Sequence, residues 1–135
     1  MTSDPLKPDG RTTVPRLSST VLDAPDPHAL AAFYRDLLGW QITSDPDDTT
    51  WVVVRPPGGG TGLAFQEEPL HEAPAWPSAR GVQQMQLHLD LQVPELGPAV
   101  RRAEELGARQ AEHQPQDDVR VMVDPVGHIF CLFEL

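Results

Sequence analysis

The sequence predicts an α+β fold of two tandem modules, each built as a strand, a helix and three further strands. Three observations predict it. Two stretches of helical apolar spacing end at Gly39 and Gly107, and each lies between one strand-like stretch and a run of three. Aligning those two glycines offsets the halves by 68 residues (107 − 39) and brings their chain-breaking residues into correspondence, although residue identity between the halves is low. Finally, the stretch 84–93 alternates polar and apolar residues at every step. In an extended chain this puts Met85, Leu87, Leu89, Leu91 and Val93 on one face and Gln84, Gln86, His88, Asp90 and Gln92 on the other. The polar row is either a solvated surface or the wall of a polar cavity.

Residues 1–13 carry Asp4-Pro5 and Lys7-Pro8-Asp9-Gly10 without apolar periodicity and read as a flexible tail. The first module occupies 14–68 and opens with a strand at 16–23. Asp26 caps the helix that Pro27 begins, where a missing N–H does no harm. Leu30, Phe33, Tyr34, Leu37 and Leu38 form its apolar stripe, and Gly39 stops it. Strands at 40–43, 51–55 and 63–66 follow, separated by Asp45-Pro46-Asp47-Asp48 and Pro56-Pro57-Gly58-Gly59-Gly60. That glycine run lacks the lysine and the strand-to-helix context of a phosphate loop and reads as a hairpin connection. A proline-rich linker at 69–81 contains Trp76, either a packing anchor or a cavity lid. The second module, 82–135, continues from the alternating strand into a helix begun at Pro94-Glu95-Leu96-Gly97-Pro98. Leu96, Val100, Ala103 and Leu106 are its stripe and Gly107 its stop. Strands at 108–111, 119–123 and 128–134 complete it.

A chain of 135 residues suffices for one domain with a modest core, or for two small units sharing one. Hydrophobic content of 39% with 22% charged residues is ordinary for a globular protein. No apolar run approaches the roughly 20 residues that span a bilayer. Residues 1–14 lack the apolar segment of a signal peptide, so a cytoplasmic protein with no membrane partner is expected. A net charge of −10 repels phosphate backbones and argues against a nucleic-acid partner. The densest basic spot, Arg101-Arg102, is followed by Glu104-Glu105 and reads as a solvated helix face. With Cys131 the single cysteine, neither an intrachain disulfide nor a zinc site of several thiolates can form.

Val21-Leu22-Asp23-Ala24-Pro25-Asp26-Pro27, leading to Phe33-Tyr34-Arg35-Asp36-Leu37-Leu38-Gly39-Trp40, carries a resemblance in the first half. In the second half His88-Leu89-Asp90-Leu91-Gln92-Val93, Ala103-Glu104-Glu105-Leu106-Gly107-Ala108 and Asp124-Pro125-Val126-Gly127-His128-Ile129-Phe130-Cys131-Leu132 carry it. Over 16–135 the chain resembles the vicinal oxygen chelate superfamily of glyoxalase I, bleomycin-resistance proteins and extradiol dioxygenases, and within it the small bacterial glyoxalase-like proteins. The resemblance implies βαβββ modules forming one curved mixed sheet, helices on the convex side, ligand chemistry in the concave trough, and a homodimer. The polar row then becomes trough wall. Metal-dependent members draw ligands from the first and last strands of each module. One such position falls on His88, with Thr20, or Ser19 after a one-residue slip, as its counterpart. The last-strand positions fall on Cys131 and near Ala64 or Gln66.

An imidazole, a hydroxyl, an amide and a lone thiol suit a hard divalent ion poorly, so no cofactor is expected; if a divalent metal does bind, His88 is the candidate ligand. His88 and Asp90 are the candidate catalytic pair, as base and orienter, with hydrogen bonding to a ligand as the plainer role. Ligand contacts are expected from Gln86, His88, Asp90, Gln92, Thr20, Gln66, Trp51 and Cys131. Trp40, Trp51 and Phe65 are either an apolar floor or core and dimer contacts. Cys131 reads as a buried structural thiol, and His28, His71 and His113 as exposed. The expected function is binding of an apolar or aromatic small molecule in the trough. The alternative is a metal-dependent lyase, isomerase or dioxygenase acting on adjacent oxygens.

Overall fold

In each module the chain runs out along one strand, returns through a helix and closes with an antiparallel meander whose last strand pairs in parallel with the first. The computed structural model describes residues 13–134; the tail read at 1–13 lies, apart from Thr13, outside the described residues. The first module comprises β1 (Ser19–Ala24), α1 (Pro27–Leu38), β2 (Gln41–Ile42), β3 (Trp51–Arg55) and β4 (Gly62–Glu67). The second comprises β5 (Leu89–Gln92), α2 (Leu96–Leu106), β6 (Arg109–Gln110), β7 (Val119–Val123) and β8 (Ile129–Phe133). Each module has its own four-stranded mixed sheet, ordered β1-β4-β3-β2 and β5-β8-β7-β6. The chain divides into two compact units between His71 and Glu72, within the linker read at 69–81. Among the described residues no helix is long and apolar enough to cross a membrane.

The first unit forms as its residues dictate. The Asp26 carboxylate accepts the N–H groups of His28 at 3.1 Å and Ala29 at 3.2 Å, satisfying donors that the first turn leaves free. Gly39 ends α1 at φ 68°, a left-handed conformation that glycine adopts without strain, and its N–H donates to the Arg35 carbonyl. Leu30, Phe33 and Tyr34 are buried, and the Tyr34 ring stacks on Phe65 at 5.7 Å. Because Phe65 is in register with Leu22 and Val52, those residues share the helix face. Val21, Trp51, Val53, Ala64 and Gln66 therefore occupy the opposite, open face. The glycine run joins β3 to β4 as a hairpin.

In the second unit Glu95 precedes α2 without making a side-chain cap bond. One free donor of the first turn is met from just beyond β8, where Glu134 Oε1 accepts the Leu96 N–H at 2.6 Å. Met122, Phe130 and Leu132 are buried on the helix face, in register with Leu89 and Leu91. The alternating stretch 84–93 is a strand only from Leu89. Its ladder partner β8 begins at Ile129, opposite His88 in the same register, so residues 84–87 run past the end of β8 and the pleat no longer assigns their sides. Two of them depart from the alternation: Leu87 is 50% exposed, and Met85 packs on the open face with Ile129 and Cys131, not beneath α2.

The two caps are separable by mutation. Asp26→Ala should lower stability by about 1 kcal/mol, whereas Glu95→Ala should be near neutral. Glu134→Ala, which orphans the Leu96 donor, should lower it by about 0.5–1 kcal/mol. Urea denaturation followed by far-ultraviolet circular dichroism measures all three.

Candidate functional site on the open face of the second sheet

The register of the second sheet sets out two adjacent rows of side chains away from α2. Asp90 on the β5 edge lies beside Cys131 on β8, Cys131 beside Val121 on β7, and Val123 beside Arg109 on β6. Ala111, Val121, Val123, Ile129 and Cys131 form one buried apolar cluster, and Trp76 and Met85 from the linker side of the unit pack against it. Trp76 is both anchor and wall. Its indole N–H donates to the His113 carbonyl at 2.9 Å, and the neighbouring Ala75 N–H donates to the Gln83 carbonyl at 2.9 Å. Between this fixed segment and β6–β8 lies a cleft of about 340 Å³ lined by Pro74, Trp76, Ala111, Val123 and Ile129, with Arg109 and Glu112 on its polar side.

The turn before β8 is shaped to let the segment lie on it. Asp124, 4% exposed, accepts the N–H groups of Val126 at 2.9 Å and His128 at 3.0 Å. Gly127 has φ 98°, and a Cβ there would stand 2.3 Å from the Ala73 Cβ, so the close approach requires glycine.

At the β5 edge His88 Nε2 donates to Asp90 Oδ1 at 3.0 Å, and donor atoms of His88, Asp90 and Cys131 all lie within 4.8 Å of one another. Burial, followed by the nearby Asp90 charge, pushes the Cys131 thiol above its ordinary range. A thiol so held stays protonated and is a weak nucleophile. As metal ligands, one imidazole, one carboxylate and one thiolate fit a borderline-soft ion of the zinc type better than a hard ion.

The structure sorts the remaining sequence candidates. Alignment on the glycines gave an offset of 68, but α2 has 11 residues against 12 in α1, so the N-cap residues Asp26 and Glu95 are 69 apart (95 − 26). The counterpart of His88 is then Ser19, while Thr20 is in register with Leu63 on the helix side. The counterparts of Asp90 and Cys131 are Val21 and Ala64, which offer no ligand atom. Gln66 and Trp51 sit together on the open face of the first unit, whereas Phe65 is buried toward α1. Gln92 shares the face of Asp90 and is exposed; Gln86 is exposed and lies outside β5. His28, expected to be exposed, is half-buried, its Nε2 2.6 Å from the Asp48 carbonyl oxygen. The first unit has its own cleft of about 480 Å³ lined by Gln41, Thr43, Val53 and Arg55. Its guanidinium is already engaged by the Ser18 and Gly60 carbonyls at 2.9 and 2.8 Å and by Ser18 Oγ at 3.0 Å. Sequence reasoning missed Arg109 and Glu112, although the alternation of Arg109 with Ala111 carries the signal that places Arg109 on the cluster's face.

Two measurements probe this geometry. Because the raised thiol forms thiolate only at higher pH, iodoacetamide should label native Cys131 with a pH midpoint above that of the unfolded chain. Asp90→Asn should lower that midpoint and speed labelling several-fold at neutral pH. Gly127→Ala should cost about 1–3 kcal/mol by left-handed strain and clash, and should raise proteolysis within 73–83 by lifting the segment from the turn.

Residues 19–133 match the model of the glyoxalase-like domain family. No curated protein matches the chain. Among solved structures it is similar to a glyoxalase/bleomycin resistance protein/dioxygenase family enzyme from Burkholderia phytofirmans, at 15% identity and a TM-score of 0.66, covering 89% of this chain and 98% of that one. It is similar to the fosfomycin resistance protein FosX from Listeria monocytogenes, at 15% identity and a TM-score of 0.65, covering 90% and 91%. A third is TnmS3, an antibiotic-binding protein from a Streptomyces species, at 17% identity and a TM-score of 0.57, covering 92% and 98%. At such identities the likeness is one of fold. The family match over nearly the whole described chain, together with the two βαβββ modules, makes this protein a member of the glyoxalase-like domain family of the vicinal oxygen chelate superfamily.

Proposed function

We propose that the chain is a small-molecule binding protein of the glyoxalase and bleomycin-resistance kind, holding an apolar or aromatic ligand on the open face of its second sheet without the family's catalytic metal. The observation that carries this reading is the cleft walled by an indole already fixed by its hydrogen bond. A wall fixed before binding loses little freedom when a ligand arrives, and the cleft sets polar groups beside its apolar floor, so a ligand can be both packed and oriented there. His88, Asp90 and Gln92 supply polar contacts toward the β5 edge. That FosX confers resistance to fosfomycin and TnmS3 binds an antibiotic agrees with ligand capture on this fold. The same reading takes the protein as cytoplasmic and homodimeric.

One observation favours a second reading. His88, Asp90 and Cys131 lie close enough to hold a divalent metal. Such an ion would polarise adjacent oxygens of a bound substrate, as a metal-dependent lyase, isomerase or dioxygenase requires.

Thermal shift of metal-free protein against a panel of aromatic compounds separates the two. The binding reading expects stabilisation of about 2.7 kcal/mol at a hundredfold excess over Kd. It also expects a ligand-induced fluorescence change that disappears in Trp76→Phe and persists in Trp40→Phe and Trp51→Phe. Stoichiometric zinc, nickel, iron or manganese in protein purified without chelator, lost in His88→Ala, would instead establish the metal reading.

A further inference from the structure

We infer that the ligand of the second unit's cleft is an aromatic zwitterion, its ring against Trp76, its carboxylate on Arg109 and its ammonium on Glu112. This rests on the binding reading above and specifies the charge of what is bound. Arg109 is placed on the open face by its register with Val123, which belongs to the apolar floor. Glu112, at the bend that follows floor residue Ala111, lines the same cleft. Among the described residues neither Arg109 nor Glu112 has an ion-pair partner, and they are not paired with each other.

Opposite charges that line one cleft without pairing select for a molecule carrying both signs. A ligand with only a carboxylate meets Arg109 but faces Glu112, and approaches a chain of net charge −10. A ligand with only an ammonium meets Glu112 but faces Arg109. A zwitterion answers both groups and, being neutral overall, is not repelled at long range. A carboxylate can also engage the guanidinium through two parallel hydrogen bonds, which an isolated neutral acceptor cannot. The volume of about 340 Å³ is at the small end of the roughly 300–1,000 Å³ of ligand pockets, which suits a single amino-acid-sized ring compound rather than a large drug.

The test compares four indoles by isothermal titration calorimetry: L-tryptophan, indole-3-propionate, tryptamine and 3-methylindole. L-tryptophan should bind about tenfold or more tightly than each of the other three, a difference of about 1.4 kcal/mol. Arg109→Gln should weaken L-tryptophan about tenfold and remove its advantage over tryptamine. Glu112→Gln should remove its advantage over indole-3-propionate. Both residues are exposed, so the variants should keep the wild-type circular dichroism and melting temperature. Equal binding of 3-methylindole and L-tryptophan, or L-tryptophan affinity unchanged in both variants, overturns the inference and leaves the binding reading intact. If no indole binds while other aromatic compounds still stabilise the protein, the inference fails alone; if no aromatic compound binds at all, the binding reading fails with it.

Discussion

The parallel pairing of β5 with β8 is the constraint on which the second unit depends. It sets Leu89 opposite Phe130 and Leu91 opposite Leu132, and by alternation Asp90 opposite Cys131. A slip of one residue would turn Cys131 and Ile129 toward α2 and expose Phe130 and Leu132, each of which contributes about 1.5–3 kcal/mol by burial. The helix-side core therefore fixes the chemistry of the opposite face. The His88, Asp90 and Cys131 group is assembled because the far side of the same strands cannot be packed in any other register. Its neighbours follow for the same reason, since Val121 and Val123 reach the floor through β7 pairing with β8.

Much of this frame is legible in the sequence because it rests on local signals. Asp26 with Pro27, the terminal Gly39 and Gly107, and the breaker clusters each act within a few residues of themselves, so their effects are predictable from composition and spacing. The extent of the alternating stretch 84–93 was not legible, because a strand lasts only as long as a partner pairs with it, and the pairing with β8 begins at Leu89 opposite Phe130. The counterpart of His88 was left between Thr20 and Ser19 for a similar reason. A helix one residue shorter changes the offset between its two ends, and alignment on the stop signals propagates that residue into the strand before it. The capping of α2 by Glu134 lies 38 residues away along the chain and leaves no local trace.

The two modules share a plan but not a surface. At the positions of His88, Asp90 and Cys131 the first unit carries Ser19, Val21 and Ala64, so where one unit gathers three ligand atoms the other offers only the Ser19 hydroxyl. Duplication of a fold fixes where side chains can point; it does not fix which of those directions acquire chemistry.

The arginines make the same distinction at finer scale. Arg55 and Arg109 both lie on strands at the open side of a sheet and both line a cleft, and nothing in their local sequence separates their roles. Arg55 spends its guanidinium on the Ser18 and Gly60 carbonyls and on Ser18 Oγ, and so clamps the glycine loop to the start of β1. A guanidinium with its donors already met gains little from a ligand, because each new bond must replace one already made. Arg109 makes no such bonds among the described residues and stands over a buried apolar floor. The proposed recognition therefore falls to the polar group whose hydrogen bonds the fold has left unmade, beside apolar surface that the fold has already fixed in place.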